Sequence, residues 1–184
     1  DTVAFFGYPA RSKGIEDLIV ALGGFPAPRP SLLLVGAKGE PGLANDIVSA
    51  DVIDRLAAES GVNLRRTGFL PPREASEALA QAGAIILPFR DGASLRSGSL
   101  LAALRTGRPV VTTAPRSVGD LGELMELPQL IAAPASDPAE LRAVIARALA
   151  WSGTPATLPG RFRWQSIATE HRALYQRLLD ERVS

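Results

Sequence analysis

The sequence contains no cysteine and a single histidine, His171. A disulfide framework and a thiolate metal site are therefore excluded, and a histidine-based metal cluster has nothing to be built from. An excess of either charge is absent too: twenty basic and nineteen acidic side chains leave a formal net charge of +1. The broad positive field that nucleic-acid binders present to phosphate backbones is missing, so nucleic acid is not an expected partner. No apolar run approaches the roughly 20 residues needed to span a bilayer, so no transmembrane segment is expected. The amino terminus also lacks the basic-then-apolar order of a signal peptide, which makes the cytoplasm the expected compartment. Lysine is scarce, with Lys13 and Lys38 set against eighteen arginines.

Several catalytic patterns are missing as well. The first loop, "GYPARSKG", has neither the Gly-Lys-Ser/Thr of a nucleotide-triphosphatase phosphate loop nor the Gly-x-Gly-x-x-Gly of a dinucleotide site. A Ser/His/Asp set has no support, because His171 falls in a terminal helical pattern away from any nucleophile elbow.

What is present is an alternation. With 184 residues, 46% of them hydrophobic, the chain can bury the core of one globular domain spanning residues 1–184. "DTVAFFG" reads as a strand, and Ile15, Leu18, Ile19 and Leu22 at helical spacing read as the helix after it. "SLLLVG" (31–36) is a second strand, followed by a loop and a helix over 46–60 with Val52, Ile53, Leu56 and Ala57 on its apolar face. A third strand is expected at 62–69, with Pro71 and Pro72 starting a helix that runs through "REASEALAQA". "AIILPF" (84–89), a helix carrying Leu100, Leu101 and Leu104, and the strand "PVVTT" (109–113) follow. A short strand at 129–134 precedes a helix capped by Asp137 with Glu140, and a terminal helix is expected over 162–182. Buried strands alternating with helices specify a doubly wound, Rossmann-like α/β domain with a parallel sheet.

In such sheets ligands bind beyond the carboxyl ends of the strands. The loops of interest are therefore 7–14, 36–45, 69–72 and 89–99. Arg11 and Lys13 stand beside a helix start and suit a bound anion, although exposed loop charges would have the same spacing. In "RDGASLRSGSLL" (90–101), small residues from Ser94 to Ser99 allow backbone N–H groups to approach an anion. Ser97 or Ser99 fits an ordinary helix cap equally well. Asp91 can accept from sugar hydroxyls and Arg96 can grip a phosphate, or the two can pair with each other.

These stretches, in this order, resemble the carboxyl-terminal, donor-binding domain of GT-B-fold glycosyltransferases of the group 1 (family 4) type. The resemblance rests on "FFGYPARSKGIEDLIVAL", "LLLVGAKGE", "LRRTGFLPPREASEALAQAGAIILPF", "SLLAALRTGRPVVTT" and the terminal "FRWQSIATEHRALYQRLL", which cover nearly the whole chain. In the family's Gly-Arg-Leu-x-x-x-Lys-Gly loop the arginine and lysine bind the donor diphosphate. Gly7, Lys13 and Gly14 match it, while Tyr8 stands at the arginine position and Arg11 is the nearest substitute. The family's paired glutamates fall at Ser94 and Ala102, so neither carboxylate is kept, as in a divergent subgroup.

The resemblance implies a diphosphate site at Gly7, Arg11, Lys13, Arg96, Ser97, Gly98, Ser99 and Leu100. It implies a sugar site at Asp91, Gly92, Ala93 and Ser94, and a base site at Gly36, Phe69 and Leu70. It implies a retaining, hexosyltransferase-like enzyme in glycan biosynthesis whose donor substrate is a nucleotide-diphospho-sugar, with no cofactor, no metal and no assigned catalytic residue. The acceptor is unspecified. The chain is expected to be a fragment, its terminal helix crossing back onto an amino-terminal domain of the same protein through Trp164, His171 and Tyr175, with any membrane association peripheral and through that domain. Two other readings stand beside this one: a binding or scaffold module that has lost transfer, and half of a GT-B-fold epimerase or phosphorylase.

Overall fold

The computed structural model describes residues 1–36, 46–117, 121–134 and 137–183. Six strands, β1 (Thr2–Phe6), β2 (Ser31–Val35), β3 (Leu64–Gly68), β4 (Ala84–Leu87), β5 (Val110–Thr113) and β6 (Leu130–Ala133), form one sheet. Its order is β3-β2-β1-β4-β5-β6 and every pairing is parallel. Among the described residues six α-helices follow the strands: α1 (Ile15–Gly23), α2 (Ala50–Glu59), α3 (Pro72–Ala80), α4 (Gly98–Leu104), α5 (Pro138–Leu149) and, after α5 with no strand between, α6 (Trp164–Val183). This is the doubly wound α/β fold expected from the alternation.

The strand sequences explain the two cores. Successive side chains on a strand point to opposite faces, and both faces of this sheet are covered, so β1, β2 and β4 read as near-continuous apolar runs rather than alternating ones, whereas the edge strand β3, Leu-Arg-Arg-Thr-Gly, does not. Val3, Phe5, Leu32, Leu34 and Ile86 pack with Ile15, Leu18, Leu141 and Ile145 in the layer of α1, α2 and α5. Ala4, Leu33, Val35, Ile85 and Leu87 pack with Leu79, Leu100 and Leu104 in the layer of α3 and α4. Each fully buried leucine or isoleucine contributes about 1.5–3 kcal/mol relative to exposure, which makes these two layers the main stabilising feature.

Helix starts follow local chemistry. Pro72 stands in the first turn of α3, where its missing N–H costs nothing. Asp137 caps α5 as expected, accepting from the N–H groups of Ala139 at 2.9 Å and Glu140 at 3.0 Å.

The helix expected over 46–60 is shorter, Ala50–Glu59. Residues 46–48 are drawn onto the first loop instead: Ile47 bridges Ala10, and the Val48 N–H donates to the Pro9 carbonyl at 2.8 Å. Hydrogen bonds to a distant segment, with burial of Val48, outweigh the weak helical preference of that end. The terminal helix begins at Trp164, after a 3-10 turn at Gly160–Phe162 and an extended Arg163. The connector before it is pinned by buried Gln129, which donates to the Ala156 carbonyl at 2.7 Å and accepts from the Ala156 N–H at 3.0 Å.

Beyond its root α6 is solvent-covered: every residue from Ala168 to Glu181 is exposed. Among the described residues, no helix is long and apolar enough to cross a membrane.

Candidate functional site

The sheet order reverses between β1 and β4, since the chain winds outward to β3 on one side and to β6 on the other. Loops leaving the two strands must diverge at that point, which opens a crevice above their carboxyl ends. The β1 side is built around two glycines. Gly7 (φ 114°) and Gly36 (φ 139°) both occupy backbone regions that side chains disfavour. A Cβ on Gly36 would lie 2.7 Å from the Gly7 carbonyl oxygen, and one on Gly7 would lie 2.6 Å from Lys13 Nζ. The strand ends can approach, and the ammonium can settle over Gly7, because neither residue has a side chain.

The loop that carries Lys13 is held from several directions. The Ser12 N–H and hydroxyl both donate to the Asp46 carboxylate, and the Arg11 N–H donates to the Asp46 carbonyl at 2.8 Å. The Arg90 N–H donates to the Ser12 carbonyl at 2.8 Å, joining this loop to the one after β4. The Arg90 guanidinium reaches α1 and forms a two-pronged pair with Asp17 at 2.7 and 2.8 Å, with Glu16 at 3.5 Å. The hydrogen bond that the guanidinium donates to Asp17 is the main reason that the Arg90 pKa is raised. Arg11 lies 3.8 Å from Glu16. Burial pushes the Lys13 ammonium below the ordinary lysine pKa of 10.5. A partly dehydrated ammonium held in place is well suited to meet an anion, because solvent screens it less.

Above the ends of β1, β2 and β3 lies a cavity of about 470 Å³ lined in part by Gly7, Gly36, Phe69, Leu70, Ala102 and Arg105. The structure thus brings the three expected base-site residues, Gly36, Phe69 and Leu70, together with Gly7. Phe69 is 81% exposed at the rim, and Tyr8, the residue at the family's arginine position, also borders the cavity.

The loop after β4 is arranged differently. Asp91 pairs with Arg116 rather than with Arg96, while Gly92 fits closely against the Ala114 carbonyl. Ala93 is buried in the α3/α4 core, and the Ser94 carbonyl accepts from the Ser97 N–H at 3.0 Å. Ser97 is the cap of α4, its hydroxyl accepting from the Leu100 N–H at 3.4 Å and lying 3.1 Å from the Ser99 hydroxyl. The Leu100 side chain is fully buried. Gly98 and Arg96 are exposed, and Arg96 has no hydrogen bond or ion pair among the described residues. None of the residues from Asp91 to Leu100 lines the 470 Å³ cavity. Lys38 and the rest of loop 37–45 lie outside the described residues.

Sequence reasoning missed Arg105. It follows Ala102 by one helical turn and lines the same cavity, but among eighteen arginines nothing in its local sequence marks it.

Comparison with known proteins places this arrangement. Across 98% of its length the chain is similar to sucrose-phosphate synthase from Thermosynechococcus elongatus, with a TM-score of 0.77 and 23% identity over 46% of that protein. It is similar to Anabaena HepE, solved in complex with UDP-glucose, with a TM-score of 0.59 and 20% identity over 79% of this chain and 38% of that one. It also resembles the C-terminal domain of a group 1 glycosyl transferase from Francisella tularensis, with a TM-score of 0.61 and 13% identity over 82% of this chain and 75% of that one. The chain therefore spans less than half the length of the first two. A search of curated proteins finds no match to this sequence. The family model for glycosyl transferases group 1 matches residues 1–150, and with most of the chain inside that match, the protein belongs to the group 1 glycosyl transferases.

Proposed function

We propose that this chain is the donor-binding half of a retaining glycosyltransferase, hexosyltransferase-like, that transfers a sugar from a nucleotide-diphospho-sugar to an acceptor held by an amino-terminal domain of the same protein. One observation carries the proposal: an apolar cavity at the strand ends opens beside a glycine pair over which a partly buried lysine is held. The base would enter the cavity near Gly36, Phe69 and Leu70. The diphosphate would lie across Gly7 and meet Lys13, with Arg11, which lies 3.8 Å from Glu16, and the exposed Arg96 approaching it from the two loops and Ser97 to Leu100 alongside.

Departure of the nucleoside diphosphate places growing negative charge on the leaving phosphate. A fixed ammonium stabilises that charge without first having to reorganise. The sugar would project toward Asp91, Gly92, Ala93 and Ser94. In this reading the donor is a substrate and no cofactor or metal takes part. A role in glycan biosynthesis, a cytoplasmic location and peripheral contact with a membrane through the other domain belong to the same proposal.

Calorimetric titration with UDP, GDP and ADP and with their sugar conjugates tests it. Binding of one nucleotide series is the expected result, and no binding to any of them would sink the proposal.

A second reading, a nucleotide-sugar-binding module without transfer, is favoured by Ser94 and Ala102 at the glutamate positions and by the Asp91–Arg116 pair. Donor binding by the longer protein without donor hydrolysis or transfer would select it.

A further inference from the structure

Among the described residues that line the 470 Å³ cavity, Arg105 is the one with a charged side chain. The other described lining residues are mainly apolar, with hydroxyls from Tyr8 and Ser76. Its guanidinium has five N–H donors in a planar fork, and a single bond is formed on the protein side, from Nη2 to the Phe162 carbonyl at 2.5 Å. Among the described residues the other donors have no protein acceptor. The tether matters, because a long side chain already fixed at one nitrogen loses less freedom when a ligand takes up the others.

Position along α4 separates Arg105 from the diphosphate. Ser97 caps the start of the helix and Arg105 closes its end, so the two are about 12 Å apart at 1.5 Å per residue. Lys13 lies at the Gly7 end of the cavity, whereas Arg105 stands on the α4 wall. A base or a ribose in the cavity presents carbonyl, ring-nitrogen and hydroxyl acceptors, and a planar fork can meet two of them at once. We infer that Arg105 recognises the nucleoside moiety of the donor by hydrogen bonding, dividing the work with Lys13, which meets the diphosphate.

This inference rests on the cavity being the nucleotide site, so the test includes a step that separates the two claims. The wild-type chain is titrated with UDP and uridine, GDP and guanosine, and ADP and adenosine. If none of the diphosphates binds, the proposed function fails before Arg105 is at issue. With the pair that binds, Arg105→Ala is expected to weaken nucleoside and nucleoside diphosphate by the same factor, about tenfold. Lys13→Ala is expected to weaken the diphosphate alone.

Arg105→Lys keeps a cation able to reach the Phe162 carbonyl but removes the fork. It is expected to lose nucleoside affinity with its thermal midpoint unchanged, which a purely structural tether would not produce. The inference is overturned if Arg105→Ala leaves both affinities unchanged or weakens the diphosphate alone. It is also overturned if Arg105→Ala fails to fold while Arg105→Lys binds like the wild type.

Discussion

The loops after β1 and β4 flank the same crevice and are built on opposite plans. The first closes inward: Gly7 and Gly36 let two strand ends meet, Asp46 and Arg90 hold the intervening backbone, and Lys13 is kept partly dehydrated over Gly7. In the second, Asp91 pairs with Arg116 of the loop after β5, Ser97 caps its own helix and Arg96 is in solvent. Charge alone therefore does not mark a binding group. A lysine screened from water can act on an anion strongly, whereas an exposed arginine in high dielectric contributes far less.

The most damaging way to break this contrast is Gly36→Val. It combines a disfavoured φ with a Cβ at 2.7 Å from a backbone oxygen, and should cost about 2–4 kcal/mol of stability from strain and overpacking together. Chemical denaturation would show this as a lower midpoint at unchanged slope. Lys13→Ala is next, and should weaken nucleoside-diphosphate binding by about 1–3 kcal/mol, the range for hydrogen bonds to charged groups. Arg96→Ala falls in the same range only if its loop closes on the diphosphate. Parallel calorimetry of the two variants therefore sharpens the comparison, and equal losses would show that the second loop is as much a phosphate site as the first.

The pH dependence of binding is a subtler probe. Because the Lys13 pKa is lowered by desolvation, its charge is present at low and neutral pH and is lost as pH rises through a value below 10.5. Diphosphate affinity should therefore fall on the alkaline side before the ordinary lysine range is reached, and Lys13→Arg should remove that fall. Asp17→Asn, which breaks the largely surface pair with Arg90, should have the smallest effect on stability, about 0.2–1 kcal/mol. A shift in thermal midpoint much larger than this would mean that the tie between the two loops is structural to the domain and not local to the site.

Particular elements show what was legible in the sequence. The buried strands "SLLLV" and "AIIL" and the Asp137 cap announce themselves, because continuous apolar runs and cap chemistry depend only on near neighbours. Residues 46–48 misled, since helical periodicity near 50 continues into a stretch whose hydrogen bonds go to Pro9, Ala10 and Arg11. Gly36, Phe69 and Leu70 were legible as a group through the order of the family's motifs. Arg105 was not, because its place in the cavity is set by how α4 lies across the sheet.

Sequence by itself determined the doubly wound class, the family, and the strand ends at which a ligand would be met, all of which follow from short-range patterns and their order. Tertiary structure alone decided that Lys13 is dehydrated over Gly7, that Asp91 faces Arg116, and that Arg105 joins the cavity wall. The physical reason is that burial and pairing are properties of segments far apart in the chain, brought together only when both faces of the sheet are packed.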